Sequence, residues 1–166
     1  DLRTRVNALR QARGKGGNLR EWGRIEKIAA QYRSMAKALT DNDIPASYAT
    51  GLLLSAAYPE RIAKARDGCG HYQLSCGDNA FVDTADELSS HEWLAGAVMD
   101  SVSGRMFLAA PVDPEDLEDI ASARSNILWD SRKGGISALR ELKIGVLTLS
   151  ARPIGGDIRE AVLKAI

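Results

Sequence analysis

Histidine, cysteine and aromatic residues are scarce in this 166-residue chain. It has two His, two Cys and 5% aromatics, and its formal net charge is zero. Cys69 and Cys76 do not build a disulfide framework, so a reducing, cytoplasmic setting is the default expectation. His71 and His91 are the only imidazoles, and no nucleophile–base pair accompanies them, which argues against a self-contained enzyme. No apolar run approaches the roughly 20 residues of a membrane span, so no membrane partner is expected. With so few aromatics, a packed core needs most of them. No G-x-x-x-x-G-K-[ST] cradle occurs. "GKGG" (14–17) has no apolar strand before it and no Ser or Thr after its Lys, so it is not a phosphate loop.

What is present is ordinary for a globular chain, with 45% hydrophobic and 27% charged residues. The charge is uneven. Residues 1–66 carry 13 Lys/Arg against 6 Asp/Glu, residues 67–135 carry 4 against 13, and residues 136–166 carry 5 against 3. The balances of +7, −9 and +2 point to units with different surfaces. The chain opens on "DLRTRVNALRQ" and stops on "REAVLKAI", both helical in pattern, so a piece of a longer protein is expected.

The first third reads as helix. Leu2, Val6 and Leu9 mark one helix over about 2–13. Trp22, Ile25, Ile28, Ala29, Tyr32, Met35, Ala36 and Leu39 recur at steps of three and four, the stripe of an amphipathic second helix. Asn18 is its expected N-cap, with Glu21 three residues on. A third helix is expected over about 46–57. In "PERIAKAR", Pro59 suits a first helical turn, so a short fourth helix is expected there. Short loops between these helices imply a small bundle.

"DGCG" (67–70) reads as a turn and a domain boundary, after which the period shifts towards two. "HYQLSC" and "NAFVD" around "GD" form a hairpin, as do "EWLAGAVMDSV" and "RMFLAAPV" around "SGR". "DPEDLEDI" reads as a short acidic helix with Asp113 as N-cap and Pro114 in its first turn. "NILWDS" and "ISALRELKIGVLTLSARP" are further strands, the last bent at Gly145. The expected fold class is α+β, a helical bundle (1–67) followed by a small OB-like β-barrel (68–152) and the start of a further helical segment (153–166).

The blocks "LLLSAAYPERIAKAR", "HYQLSCGDNAFVD", "EWLAGAVMD", "RMFLAAPVD", "ILWD" and "IGVLTL" resemble the region behind the motor of bacterial HrpB-type helicases of the DEAH-box group. The resemblance covers about residues 19–152. It departs at Glu60, where the family has Asp after "YP", and in "CGDNA", where "NGRGA" is typical and Asn79 replaces the second turn glycine. That removes a basic residue from the turn. The resemblance implies that this chain is a non-catalytic accessory region, with no cofactor of its own and no D-E-A-H-like block. The parent would be an ATP-dependent NTP hydrolase holding ATP and Mg²⁺ in its RecA-like motor domains. Beside those domains, the region would help form a channel for single-stranded RNA or DNA.

Candidate contacts follow from charge. Arg61, Lys64 and Arg66 form a basic run able to neutralise phosphates. A local ion pair for Arg61, with Tyr58 packing, is the plainer reading. Arg3, Arg10, Arg13, Lys15, Arg20 and Arg24 make the first helices basic, as solvated helical faces often are. In the acidic middle, Arg105, Arg124, Arg132 and Lys133 are the only cations, and Arg132 and Lys133 sit in a loop. Tyr72, Phe81, Phe107 and Trp129 are candidates for base stacking on a barrel face or for its core, whereas Trp93 reads as structural. Cys69, His71 and Cys76 lie within eight residues, but no second cluster completes a metal site. Two other readings stay open. One is a protein-docking platform on the acidic unit, which basic clustering on one barrel face would disfavour. The other is a small enzyme, which a pocket holding a His beside a carboxylate would revive.

Overall fold

A computed structural model describes residues 1–14, 22–39, 49–68, 70–130 and 134–154, with side chains at 14 and 128–130 excluded. Asn18, Glu21, Cys69, the Trp129 side chain, Arg132, Lys133 and the tail from Asp157 lie outside the described residues. Among the described residues three helices come first: α1 (Leu2–Gly14), α2 (Gly23–Met35) and α3 (Ala49–Ala57). A five-stranded antiparallel sheet follows in the order β3-β2-β1-β4-β5. Its strands are β1 (Ile62–Ala65), β2 (His71–Leu74), β3 (Asn79–Phe81), β4 (Trp93–Met99) and β5 (Met106–Pro111). A second sheet of three strands, β6 (Ser122–Asp130), β7 (Gly135–Ile144) and β8 (Leu147–Pro153), is a meander in chain order.

The expected fourth helix is corrected. Pro59–Arg61 is a single 3-10 turn, and Ile62–Ala65 is the central strand of the first sheet, paired to both β2 and β4. Pro59 does start a helical turn, but pairing on both sides outweighs its continuation. Ile62 and Ala63 are both fully buried, on opposite faces of the strand. Ala63 packs with Tyr72, Leu74, Ala80, Val82, Leu88, Leu94, Met106 and Ala109 inside the curl. Ile62 packs with Trp93, Val112, Leu117, Ile144 and Leu147 on the other side. The division expected at 67/68 therefore falls between hydrogen-bonded neighbours.

Both expected hairpins form, β2–β3 and β4–β5. Register shifts at Gly96–Val98 and Val98–Met99 sharpen the twist of β4. The sheet curls until Phe81 N–H donates to Gly104 O at 3.0 Å, beside a parallel bridge from Phe81 to Arg105. The result is a half-barrel consistent with an OB-like fold. The strands after 121 do not join it, which corrects the single barrel expected over 68–152.

The expected helical bundle is not clearly shown among the described residues. α2 buries none of its residues, and Tyr32 and Met35 of its apolar stripe are 66% and 72% exposed. Periodicity set the helix but not a cover for it. Arg13 meets Glu26 at 2.6 Å, an ion pair between α1 and α2. By contrast, α3 lies on β4 and β5 through its small residues. A Cβ on Gly51 would stand 2.0 Å from Pro111 O, so only glycine allows this approach. Ser55, one turn on, is buried and donates to Gly51 O at 2.9 Å. "DPEDLEDI" is a 3-10 helix, Glu115–Ile120, with Pro114 at the N-cap position; the expected cap, Asp113, lies one residue earlier, where its Oδ1 accepts from Glu115 N–H at 3.0 Å in an Asx-type turn.

Candidate nucleic-acid interface

The described members of the basic run are placed by the 3-10 turn and β1, and each has protein partners. Arg61 lies over the Tyr58 ring at 4.6 Å, pairs with Glu60 at 3.4 Å and donates to Ala97 O at 3.2 Å. The local ion pair and the packing of Tyr58 are thus both present. Lys64 Nζ donates to Thr148 O at 3.2 Å, lies 4.9 Å from the Trp93 ring centre and stands 4.0 Å from Glu92. It ties β1 to β8 of the second sheet. Arg66 donates to Asn79 Oδ1 at 3.0 Å. The three do not share one helix, because β1 intervenes.

Elsewhere, Arg3 is held by Asp1 at 2.6 Å, and Arg105 pairs with Asp83 at 3.5 Å while covering the Phe107 ring at 5.5 Å. Arg124 is exposed on β6. Of the aromatics, Tyr72 is core. Its hydroxyl lies 2.9 Å from Leu88 O and 2.8 Å from His91 O, and its one proton serves one carbonyl at a time. Burial, with the charge of Asp86 adding to it, pushes its phenol above the ordinary range. Trp93 is buried, Phe81 is half-buried and Phe107 is 59% exposed, so Phe107 is the described candidate whose ring faces water most. His71 and Cys76 are exposed, and Cys76 Sγ lies 3.6 Å from Asp78 Oδ2. Among the described residues no group of three His, Cys, Asp or Glu side chains is placed to hold a metal. No described helix is long and apolar enough to cross a membrane.

The two sheets meet at the β7–β8 turn. Gly145 takes φ +56°, and a Cβ there would stand 2.0 Å from Ser75 O. Val146 N–H donates to that same oxygen at 2.9 Å. Ser75 N–H donates to Ile62 O at 2.8 Å, and its Oγ donates to Pro59 O at 2.5 Å. One residue thus links the 3-10 turn, the half-barrel and the second sheet.

Comparison with known proteins assigns these parts. The family described as "ATP-dependent RNA helicase HrpB, connector region" matches residues 121–154, which contain the whole of β6–β8. The ATP-dependent RNA helicase HrpB of Escherichia coli K12 is 33% identical over 126 residues, 69% of this chain. A crystal structure of the E. coli DExH-box NTPase HrpB superposes with a TM-score of 0.67 at 29% identity, over 82% of this chain and 18% of that one. The chain corresponds to the C-terminal region of HrpB-type helicases. A second structure, of the E. coli DEAH/RHA helicase HrpB, agrees with a TM-score of 0.63 at 28% identity, covering 70% of this chain and 15% of that one. The chain spans 16% of the length of the curated HrpB relative.

In this HrpB-type region the second sheet is the connector. It carries two cations that charge clustering in the sequence did not single out, Arg140 on β7 and Arg152 on β8. They are direct register partners. Counting back from the two-residue turn at Gly145–Val146 would place Arg140 opposite Ala151. A register shift after Leu142 moves Arg152 there instead, and no sequence signal announces that shift.

Proposed function

We propose that this chain is a non-catalytic accessory region of an ATP-dependent DEAH-box helicase, helping to form the channel for single-stranded nucleic acid beside the motor domains. The observation that carries the reading is its correspondence with HrpB across both sheets. In this reading ATP and Mg²⁺ belong to the RecA-like motor domains, which are its intramolecular partners, and RNA or DNA is the shared ligand. The half-barrel and connector supply wall rather than chemistry. Arg61, Lys64 and Arg66 then shape that wall, since their charges are already engaged by protein groups, and Arg132 and Lys133, which follow β6 in the sequence, are proposed contacts.

The test is fluorescence anisotropy with a labelled single-stranded RNA. It compares this chain alone, the motor domains of E. coli HrpB alone, and the two mixed. The expected result is weak, steeply salt-dependent binding by the chain and at least about tenfold tighter binding by the mixture at concentrations where chain and motor domains associate, because the docked pair then offers the strand two joined sites. A mixture that binds RNA no better than the motor domains alone overturns the channel. The −9 balance of residues 67–135 favours protein docking as the second reading. Association of chain and motor domains with no gain in RNA affinity would be its signature.

A further inference from the structure

Arg140 and Arg152 differ from the half-barrel cations. As direct partners on neighbouring antiparallel strands, they sit on one face with Cβ atoms roughly 4.5–5.5 Å apart, where like charges repel. Both are exposed. Neither has a hydrogen bond or ion pair among the described residues. Both line one cleft of about 490 Å³ together with Leu142 and Ser150, and Glu118 borders it from the 3-10 helix. Glu141 also borders the cleft, but its carboxylate is paired with Lys143 at 3.7 Å. On β6, Ser125 is in register with Arg140, so a row of Ser125, Arg140 and Arg152 crosses the sheet.

Two neighbouring guanidiniums that neither Glu118 nor Glu141 pairs with, next to a serine hydroxyl, suit an oxyanion. The planar fork of Arg matches phosphate oxygens in pairs. Two forks on adjacent strands can take one phosphate together or two consecutive phosphates of a strand, whereas a lone carboxylate occupies only one fork. We propose that Arg140 and Arg152 form a phosphate-binding site on the connector sheet for the backbone of a single-stranded nucleic acid. This rests on the nucleic-acid reading above and moves its contact from β1 to the connector. Glu118 weakens the site and sets its affinity.

The test is anisotropy with a labelled oligouridylate across a salt series, on the whole chain in the presence of the E. coli HrpB motor domains. The double variant Arg140→Gln/Arg152→Gln is expected to flatten the log–log salt slope by about 1.4, at about 0.7 per lost single-strand contact. The affinity lost between about 50 and 200 mM salt then shrinks by about sevenfold. Arg140→Lys/Arg152→Lys keeps the slope but binds more weakly, because charge stays and the fork goes. Glu118→Gln binds more tightly. In the chain without RNA, Arg140→Gln alone raises Tm by about 1–3 °C by removing the repulsion, a readout that a structural arginine would move the other way. An unchanged slope in the double glutamine variant, with wild-type binding intact, overturns the site and leaves the nucleic-acid reading standing. No contribution of the wild-type chain to RNA binding at any salt overturns both. An oligoglutamate probe that requires both arginines and is not displaced by RNA overturns the site in favour of an acidic peptide.

Discussion

The half-barrel and the connector are both antiparallel sheets, yet they hold their shape by different means. In the half-barrel the central strand is β1, whose neighbours β2 and β4 flank it on both edges, and the outer strands are drawn towards each other at Phe81 and Gly104. Most of the buried apolar side chains belong to it and its loops. The connector is a local meander that, among the described residues, gives only Ala138, Ile144 and Leu147 to the buried set, the last two beside the turn against Ser75. One sheet is organised around a core, while the other is pinned at an end. The pinned sheet leaves Arg140 and Arg152 exposed on one face, which suits a surface that has to meet something else.

The contrast can be broken from the core side first. Leu94 is 0% exposed and packs in the inner cluster, so Leu94→Ala should cost about 2–5 kcal/mol in denaturant unfolding. A loss below 1 kcal/mol would mean that the half-barrel is not held by this cluster. The connector side is tested by Gly145→Ala. The added Cβ meets Ser75 O and the residue must keep a positive φ, so a penalty of about 1–3 kcal/mol is expected. Amide exchange should accelerate in β7 and β8 and stay slow in β1 and β4. Equal acceleration in both sheets would show that they unfold as one unit.

The smallest effect sharpens the comparison through pH. Tyr72→Phe removes the hydroxyl under Leu88 O and His91 O, at a cost of about 1 kcal/mol near neutral pH. Because the folded-state pKa of Tyr72 is raised above its ordinary value of 10.0, the neutral phenol favours the fold. Its contribution is complete below pH 10 and is lost as pH rises through the folded pKa. Thermal melts of wild type and variant should therefore converge above pH 10. A gap that persists unchanged there would remove Tyr72 as the source of alkaline sensitivity.

Punctuated elements were legible in the sequence. "GD" and "SGR" marked the two hairpins, and Gly145 marked the last turn, because tight reversals demand particular backbone chemistry. The period of α2 was legible, but what lies against its stripe was not. Periodicity reports which side is apolar and nothing about its cover. "PERIAKAR" misled because proline opens a 3-10 turn as readily as an α-helix, and Ile62 and Ala63 are buried on opposite faces by strands distant in sequence. Of the basic residues singled out, Arg61 has the local partners the sequence offered, Glu60 and Tyr58, whereas Ala97, Thr148 and Asn79 are brought to Arg61, Lys64 and Arg66 by the fold and no local pattern announces them. Arg140 and Arg152 stayed hidden because a single register shift decides their pairing.

Ser75 has one mechanical consequence. Beyond its fixed turn, β7 runs ten residues from Ile144 back to Gly135, a reach of about 30 Å at strand rise. The connector is thus a lever with its fulcrum at Ser75, and a rotation of about 10° there would carry the far end roughly 5 Å. Small adjustments of the β2–β3 hairpin, where Ser75 sits, are magnified along the sheet, and Arg140 and Arg152 ride partway along that arm.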